Sequence, residues 1–211
     1  MEEEIKKKII NALDELRKEK ERKFNQTADL IINLQKFDVK KTPINLFVNI
    51  PYKIKEKSVA GFLESKNKNI DAITPEEFKK YSDKKELKKI VSKYDFFIAQ
   101  GKLMPNVATT FGRALGPAGK MPSPQMGIIL NADDKTIKEL KEKINNMIKV
   151  RVKEASVKLA IGKQDMKNEE IVENVGVFYD ALEKALPKGK DNIKNIEIKF
   201  TMTKPRKIQI R

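Results

Sequence analysis

The 211-residue chain contains no cysteine and no histidine. The absence of cysteine excludes disulfides, thiolate metal sites and a cysteine nucleophile. The absence of histidine removes the commonest general base and metal ligand of proteins. Any chemistry at an active site would therefore have to rest on carboxylates, lysine or serine.

Long apolar runs and a basic, apolar amino terminus are also missing. No apolar run approaches the roughly 20 residues that a helix needs to cross a bilayer. The chain starts Met1-Glu2-Glu3-Glu4, which is acidic where a secretory signal would be basic and then apolar. The sequence therefore predicts a cytoplasmic protein.

The remaining carboxylates do not form a recognisable catalytic set. The candidates are Asp71, Asp95 and the pair Asp133-Asp134, and the pair stands where a capping aspartate would begin a helix. The Gly119-Lys120 pair lacks both the hydroxyl residue and the earlier glycine of a phosphate-binding P-loop. We predict that the chain is not an enzyme and has no catalytic residue, metal or other cofactor.

Positive charge is plentiful. The sequence has 45 basic and 30 acidic residues, a net charge of +15. Such an excess favours a polyanionic partner, either nucleic acid or an anionic membrane surface. Only six of the basic residues are arginine. Because lysine suits phosphates while arginine suits the bidentate reading of bases, we expect recognition of backbone and shape.

The two ends of the chain share one pattern of apolar residues. Helical spacing over 5–16, and again from about Asn168 to Pro187, predicts two amphipathic helices. Alternating apolar residues predict strands over 28–34, 44–50, 148–152, 157–161 and 196–202. Because each of these strands has one apolar face, we expect those other than 148–152 to share a sheet that the helices cover.

The middle of the chain follows a different pattern, in which short apolar strands alternate with helices. Strands are predicted at 59–63, 96–99 and 128–130, and helix starts are predicted at Thr74-Pro75, at Asp83, near Pro105 and at Asp133 or Asp134. This alternation indicates a small parallel sheet with helices on its faces.

We therefore predict two domains with a hinge between them, in a chain of mixed α+β and α/β class. Residues 1–55 and 148–211 form a split α+β sheet domain, and residues 56–147 form an inserted α/β domain. The split domain carries a net charge of +10 and the insert +5. The split domain is therefore the better candidate for the main polyanion site.

Two polar segments of the split domain are explained by neither helical nor strand periodicity. They are 22–27, with the sequence RKFNQT, and 201–207, with the sequence TMTKPRK. Short hydroxyl side chains, backbone amides and a flat apolar group can follow an RNA backbone and its 2′-hydroxyls. The alternative is a helix–strand turn and a strand terminus, with Phe24 and Met202 in the core.

The most specific segment is GRALGPAGKMPSP, residues 112–124. The window 112–127 holds four of the nine glycines and three of the nine prolines. Glycine opens backbone angles closed to other residues and proline fixes its own, so this composition predicts a shaped, nearly rigid loop that carries Arg113 and Lys120. An ordinary rigid turn has the same composition.

The order of residues in this loop resembles the signature of the large-subunit ribosomal protein family L-one. That family also has a Lys/Arg-Lys-Phe-x-x-Thr segment near the amino terminus and a Thr-Met-Gly segment near the carboxyl end. Here these are residues 22–27 and Thr201-Met202-Thr203, and all three motifs occur in the family's order. Residues 93–99, KYDFFIA, are similar to the archaeal and eukaryotic branch. The resemblance covers essentially the whole chain.

The resemblance implies a split rRNA-binding domain and an inserted Rossmann-like domain joined by a hinge. It further implies a protein of the mobile L-one stalk that binds large-subunit rRNA, assists release of deacylated tRNA from the exit site and represses translation of its own mRNA. The implied RNA contacts are Lys23, Phe24, Thr27, Lys158, Lys163, Thr201, Met202 and Thr203. The signature loop comprises Gly112, Arg113, Gly116, Pro117, Gly119, Lys120, Pro122 and Pro124.

Two departures from the family pattern stand out. Thr203 replaces the usual glycine, which predicts a looser approach of RNA or a hydroxyl contact in its place. Residues 50–55, IPYKIK, lack the glycines common before the hinge.

A basic protein that docks on anionic membranes is the alternative from another class. It would need an amphipathic helix with lysines on one face and bulky apolar groups on the other. Residues 5–20 come closest, but their polar face mixes glutamate with lysine.

Overall fold

The structure is a computed structural model that describes residues 1–19, 22–39, 42–124, 126–130, 133–152 and 154–209. In chain order its helices and strands are α1 (Glu3–Arg17), β1 (Thr27–Leu34), β2 (Asn45–Asn49), β3 (Val59–Phe62), β4 (Asp71–Ile73), α2 (Lys84–Lys93), β5 (Phe96–Gln100), α3 (Met104–Ala118), β6 (Ile128–Ile129), α4 (Asp134–Asn145), β7 (Met147–Arg151), β8 (Ser156–Lys163), α5 (Asn168–Ala185), β9 (Ile193–Phe200) and β10 (Arg206–Ile208). The class is mixed α/β and α+β, as the sequence predicts.

The chain forms two compact units. Residues 1–54 and 146–211 form the first, here called the split unit, and residues 55–145 form the second, the inserted unit. The expected boundaries lie one residue later at the first crossing and two residues later at the second. The second crossing precedes Met147 because β7 starts there and pairs with β2 of the split unit.

The split unit contains a four-stranded antiparallel sheet with helices on one face. The strand order is β10-β9-β1-β8. Along β1 every second side chain is buried, starting with Ala28, whereas the side chains from Thr27 onward on the other face are only partly covered. The core combines the buried strand faces with the apolar stripes of α1 and α5, including Ile9, Leu13 and Phe178. Within the described residues of the split unit, α1 and α5 therefore cover one face of the sheet.

The prediction that four strands share one sheet is wrong for the segment 44–50. That segment forms β2, which pairs with β7 in a separate two-stranded sheet, with Val48 opposite Ile148. Val48 and Val150 still join the core of the split unit. Alternation correctly marks a buried face here, but it does not identify the strand that pairs with β2.

The predicted last strand, 196–202, ends two residues early. Phe200 closes β9, and residues 201–203 reverse the chain into β10, which pairs with β9 and which periodicity did not reveal. Met202 lies outside the strand and is 56% exposed. The turn ends β9 because the Thr203 hydroxyl accepts a hydrogen bond from the Phe200 amide at 2.9 Å.

The inserted unit is a parallel sheet with helices packed on it. The strand order is β4-β3-β5-β6, and every pairing is parallel. An aromatic cluster fills one side, with the ring centroids of Phe62 and Phe111 4.8 Å apart and those of Phe62 and Phe97 5.6 Å apart. A smaller core around Ile98 and Ile137 fills the other side.

Two helix starts in the inserted unit carry the predicted caps. The Asp83 carboxylate accepts a hydrogen bond from the Lys85 amide at the start of α2. Thr74 and Glu77 form a capping box, but the helix that follows, Pro75–Ser82, is a 3-10 helix and not a regular α-helix. The third predicted strand is also shorter than expected, since Leu130 lies beyond β6 and is 87% exposed.

The expected loop over 112–124 is a helix for its first seven residues. α3 runs to Ala118 because the buried positions Val107, Phe111 and Leu115 recur every four residues and hold it against the sheet. Gly119 then adopts a left-handed φ of 67°, and the helix ends there. The two glycines inside α3 do not break it, and Pro117 is tolerated in its last turn.

No helix in the described part of the chain is both long and apolar enough to cross a membrane.

Two glycines of the inserted unit, Gly112 and Gly127, allow a test of the helix assigned to α3 and of the backbone conformation before β6. A Cβ at Gly112 would meet no atom within 4 Å, so Gly112→Ala should stabilise α3 by about 0.5–1 kcal/mol through helix propensity alone. As a control, Gly127→Ala should destabilise the protein by about 1–3 kcal/mol, since Gly127 has φ 109° and its Cβ would lie 2.9 Å from the Phe97 carbonyl oxygen. Urea unfolding followed by circular dichroism measures both. A lower midpoint for Gly112→Ala would show that α3 is not the helix described.

Candidate nucleic-acid interface

Three strands of the split unit bring predicted contact residues together at one end of the sheet. Thr27, the first residue of β1, pairs with Lys163, the last residue of β8. On the other side of β1, Ala28 pairs with Phe200, the last residue of β9, which Thr201 follows. Residues that lie up to 174 positions apart in sequence therefore share one surface, here called the sheet end.

The two threonines of the sheet end are bonded to each other. The Thr27 amide donates to the Thr201 hydroxyl oxygen at 3.0 Å, and the same hydroxyl donates to the Thr27 carbonyl oxygen at 3.4 Å. The Thr201 side chain thus continues the β1–β9 ladder beyond the last backbone pair. This contact fixes both chains where the sheet opens to solvent.

A buried glutamine holds the neighbouring turn. Gln26 is 2% exposed, and its side-chain oxygen accepts a hydrogen bond from the Met202 amide at 3.0 Å. Its side-chain nitrogen donates to the Gln164 side chain at 3.2 Å, and its carbonyl accepts from the Gln164 amide at 2.8 Å. Gln26 therefore ties β1, the loop after β8 and the turn after β9 together.

Sequence reasoning did not single out Gln26, although a signal for it exists. The alternation that buries Ala28 and Leu30 also places residue 26 on the core face. A polar side chain on that face must find hydrogen-bond partners inside the fold. The distant segments that supply those partners cannot be read from the pattern.

Two large apolar side chains at this end are exposed. Phe24 is 51% exposed and Met202 is 56% exposed, so neither belongs to the core. Lys23 is exposed beside Phe24. Exposed aromatic and thioether groups beside hydroxyls and backbone amides suit stacking and van der Waals contact with a nucleic acid.

Thr203 has a role inside the turn. Its hydroxyl accepts from the Phe200 amide at 2.9 Å and donates to the Phe200 carbonyl at 3.2 Å. In the described part of the chain the one residue other than glycine with positive φ is Lys36, so position 203 does not need the conformational freedom of glycine. The hydroxyl predicted here as an RNA contact is thus already engaged with the protein backbone.

Arg17 of α1, which sequence reasoning did not select as a site residue, packs against the segments that form the sheet end. Its guanidinium donates to the Gln164 and Met166 carbonyls and, at 2.8 Å, to the Asn168 side chain. It also lies 5.8 Å from the centre of the Phe200 ring. These contacts connect α1 to the loop between β8 and α5, so this arginine serves the fold.

Lys158 is not part of the sheet end. It pairs with Ile31 in the middle of the sheet, five residues along β8 from Lys163, and its ammonium lies 3.8 Å from the Glu154 carboxylate. The structure therefore separates Lys158 from the other predicted contacts in the split unit, which lie at or directly beside the end of the sheet.

One carboxylate interrupts the positive charge near the sheet end. Asp29 lies on the same strand face as Thr27 and pairs with Lys199 of β9. Burial raises the pKa of the Asp29 carboxyl, and the Lys199 ammonium acts in the opposite direction. An anionic acceptor at this place would repel phosphates and could accept hydrogen bonds from hydroxyl or amino groups of a ligand.

The predicted signature loop lies in the inserted unit, where several of its residues hold the fold together. The Lys120 ammonium donates to the Val91 carbonyl at 2.6 Å and to the Tyr94 carbonyl at 2.8 Å, where it neutralises the carboxyl end of α2. Pro122 is buried, whereas Pro124, two residues on, is exposed. Lys120 is thus used as an internal anchor.

Other residues of that segment face solvent. Gly112 and Gly116 lie on the part of α3 where a Cβ would meet nothing within 4 Å. Arg113 and Pro117 line a groove of about 780 Å³ between α2 and α3, together with the apolar side chains of Leu87 and Val91. The exposed and the structural residues of the signature segment are therefore interleaved.

Comparison with known proteins places the chain beside one family. The profile of the Ribosomal protein L1p/L10e family matches residues 16–204. The large ribosomal subunit protein uL1 of Nanoarchaeum equitans is 33% identical over 203 residues, which cover 92% of this chain and 95% of that protein. Those of Pyrobaculum islandicum and Thermococcus kodakarensis are 35% and 30% identical, and cover 90% and 93% of this chain and 87% and 94% of the relatives.

The buried glutamine gives a prediction that needs no ligand. Gln26→Leu should destabilise the protein by about 1–3 kcal/mol, because it removes two side-chain hydrogen bonds and leaves the Met202 amide without its acceptor. The matched control is Gln35→Leu, since Gln35 makes one exposed side-chain bond, to the Asp191 carbonyl, and should change stability by at most about 0.5 kcal/mol. Thermal and urea unfolding compare the two. Equal losses would show that Gln26 is not the anchor of this turn.

Proposed function

The chain belongs to the Ribosomal protein L1p/L10e family, and on this premise we propose that its sheet end binds a helical element of large-subunit rRNA. The chain is a large-subunit ribosomal protein of archaeal type and not an enzyme. Its place of action is the ribosome in the cytoplasm. The split domain, residues 1–55 and 148–211, is the part that we assign to rRNA.

One observation carries this proposal. The hydroxyl of Thr201 bonds both backbone groups of Thr27, with Met202 exposed directly after it. The two segments that resemble the family's RNA-binding motifs thus meet at one surface although 174 residues separate them. A rigid surface of this kind loses little conformational entropy on binding.

The chemistry of the sheet end supports RNA as its ligand. Lys23 and Lys163 provide mobile positive charge for phosphates, and Phe24 and Met202 provide apolar surface. Hydroxyl and carbonyl oxygens can accept hydrogen bonds from the 2′-hydroxyls that distinguish RNA from DNA. The contacts proposed at the sheet end are Lys23, Phe24, Thr27, Lys163, Thr201, Met202 and Thr203.

The wider role proposed for the chain follows its family. In it, the protein forms the mobile L-one stalk and assists release of deacylated tRNA from the exit site. It also represses its own translation when the same sheet end binds an mRNA element that mimics the rRNA site. The two compact units and the two chain crossings between them support a part that moves on the subunit.

The helix considered for membrane docking does not present its apolar face to solvent. The apolar face of α1, formed by Ile5, Ile9, Leu13 and Leu16, is buried in the core of the split unit. Lys20, at the end of the segment considered for this role, lies outside the described residues. The apolar stripe that would enter a bilayer is already occupied by the sheet.

Binding of an rRNA hairpin tests the proposal directly. Thr201→Val and Met202→Ala should each weaken binding by about 1–3 kcal/mol, because they remove a hydroxyl and an apolar contact at the centre of the surface. Fluorescence anisotropy with a labelled hairpin measures the affinity, and circular dichroism measures the folded fraction.

Two matched controls accompany these variants. Thr201→Ser keeps the hydroxyl that bonds Thr27 and should bind nearly as well as the parent protein. Leu130→Ala removes an apolar side chain that is 87% exposed in the inserted unit and should leave affinity unchanged. Full affinity in folded Thr201→Val and Met202→Ala would place the rRNA site elsewhere.

Excision of the inserted unit tests which domain binds. The Ile50 amide donates to the Asn146 carbonyl at 2.7 Å, so the two crossing segments lie side by side. Joining residue 54 to residue 146 through a short Gly-Ser linker should give a cooperatively unfolding domain that keeps most of the hairpin affinity. The excised insert should fold but bind far more weakly. Specific binding by the insert alone would contradict the assignment of rRNA to the split domain.

A further inference from the structure

Asn174 occupies an unusual position in the split unit. Its side chain lies on α5, is fully buried and makes three hydrogen bonds to backbone groups. The side-chain oxygen accepts from the Tyr52 amide at 3.0 Å, and the side-chain nitrogen donates to the Tyr52 and Ile161 carbonyls, both at 3.0 Å. A single amide thus pairs with both backbone groups of one residue and with a strand of the main sheet.

The strand that Asn174 contacts is irregular at that point. Ala28 of β1 pairs with Gly162, but Asp29 pairs with Ala160, so Ile161 is the extra residue of a β-bulge. A bulge leaves backbone groups unpaired by the ladder and bends the strand. Asn174 satisfies the carbonyl of the bulged residue, which lies two residues before Lys163 at the sheet end.

The other partner of Asn174 lies on the segment that leaves the split unit. Tyr52 lies two residues after Ile50, whose amide is bonded to the Asn146 carbonyl on the returning chain. The outgoing segment is therefore held within the split unit at residues 50 and 52, and Asn174 makes the second of these contacts.

We propose that Asn174 is a positioning residue that links the outgoing segment at Tyr52 to the RNA-binding sheet end through the bulge at Ile161. RNA bound at Thr27 and Lys163 holds β1 and β8 in register, which preserves the bulge and so the geometry in which Asn174 binds Tyr52. By reciprocity, a segment released from Asn174 loosens the bulge and weakens RNA binding. This inference rests on the proposed rRNA function and adds that the contact between Asn174 and Tyr52 affects RNA affinity.

The partners of Asn174 suit this role. Loss of the Tyr52 contact leaves a buried acceptor and a buried donor of the Asn174 side chain unpaired. The bonded and the released arrangements are therefore separated by a free-energy cost and do not grade into one another. Gly162, next to the bulge, is packed against Ile171 of α5, where an added Cβ would lie 2.8 Å from that side chain. The close contact between β8 and α5 lets a shift at Asn174 reach the strand.

The test uses Asn174→Asp in the full chain. The substitution keeps the shape and the acceptor for the Tyr52 amide but replaces the donor with an acceptor that faces two carbonyl oxygens. Hairpin affinity of the folded protein should fall roughly tenfold, within the usual range for coupled sites. The salt dependence of binding should keep its slope, since no phosphate contact is lost.

The chain offers a closely matched control. Asn192 is 1% exposed and makes the same kind of contacts, since it accepts from the Lys188 amide at 2.8 Å and donates to the Gln35 and Lys36 carbonyls at 3.0 and 3.1 Å. It lies near the opposite end of the sheet, where Leu34 pairs with Ile193. Asn192→Asp should lose similar stability while its hairpin affinity changes less than about twofold. Equal affinity losses in the two variants, or none in either, would overturn the proposal.

Amide hydrogen exchange on the unmodified protein tests the same link without a variant. Bound hairpin should slow exchange at the Tyr52 amide at least as much as at Val172 of α5, and unchanged exchange at Tyr52 would overturn the link. If the unmodified protein does not bind the hairpin, the rRNA function itself fails. If it binds and Tyr52 does not respond, the function stands and only the role of Asn174 is rejected.

Discussion

The alternation of buried and outward side chains along β1 is the constraint on which the rest of the split unit depends. Ala28, Leu30, Ile32 and Leu34 face α1 and α5, and their burial sets the register of the two neighbouring strands. The same alternation turns Gln26 inward and Thr27 outward. The side-chain amide of Gln26 must then find hydrogen-bond partners in the core, and the backbone amide of Met202, in the turn after β9, donates to its oxygen. The pattern that builds the core therefore also shapes the sheet end.

Much of the fold could be predicted because its periods are strong. α1, β1 and α5 lie within one or two residues of their predicted bounds, since each buries a clear apolar face. The wrong predictions occur where periodicity carries no information. It does not identify the strand that pairs with β2, and β10, with three residues, is too short to show a period. In α3 the glycines suggested a loop. Burial of Val107, Phe111 and Leu115, which are spaced four residues apart on one helical face, outweighs the low helix propensity of those glycines.

The surface residues of the candidate site could be selected from the sequence, whereas the buried residues that support them could not. Motif resemblance drew attention to Thr27 and Thr201, which the structure joins by hydrogen bonds. Gln26, Arg17 and Asn174 bond the segments around these threonines, and their partners lie 13 to 176 residues away in the chain. A single buried polar residue indicates that a partner exists, but its identity depends on the finished packing. Lys158, which the resemblance also indicates, pairs with Ile31 in the middle of the sheet, and its role as an RNA contact stays a prediction.

The contacts of two arginines in the split unit bear on how so basic a protein would discriminate among polyanions in the proposed rRNA complex. Arg17 bonds two carbonyls and an amide inside the fold, and Arg206 lies between the carboxylates of Glu15 and Glu19 on α1. These two arginines are engaged within the fold, whereas exposed lysines such as Lys23 suit phosphates as flexible point charges. Lysine alone attracts any polyanion with little discrimination. Selectivity must then come from shape, and it is here that the fixed threonines, the exposed Phe24 and Met202 and the anionic Asp29 differ from a merely basic surface.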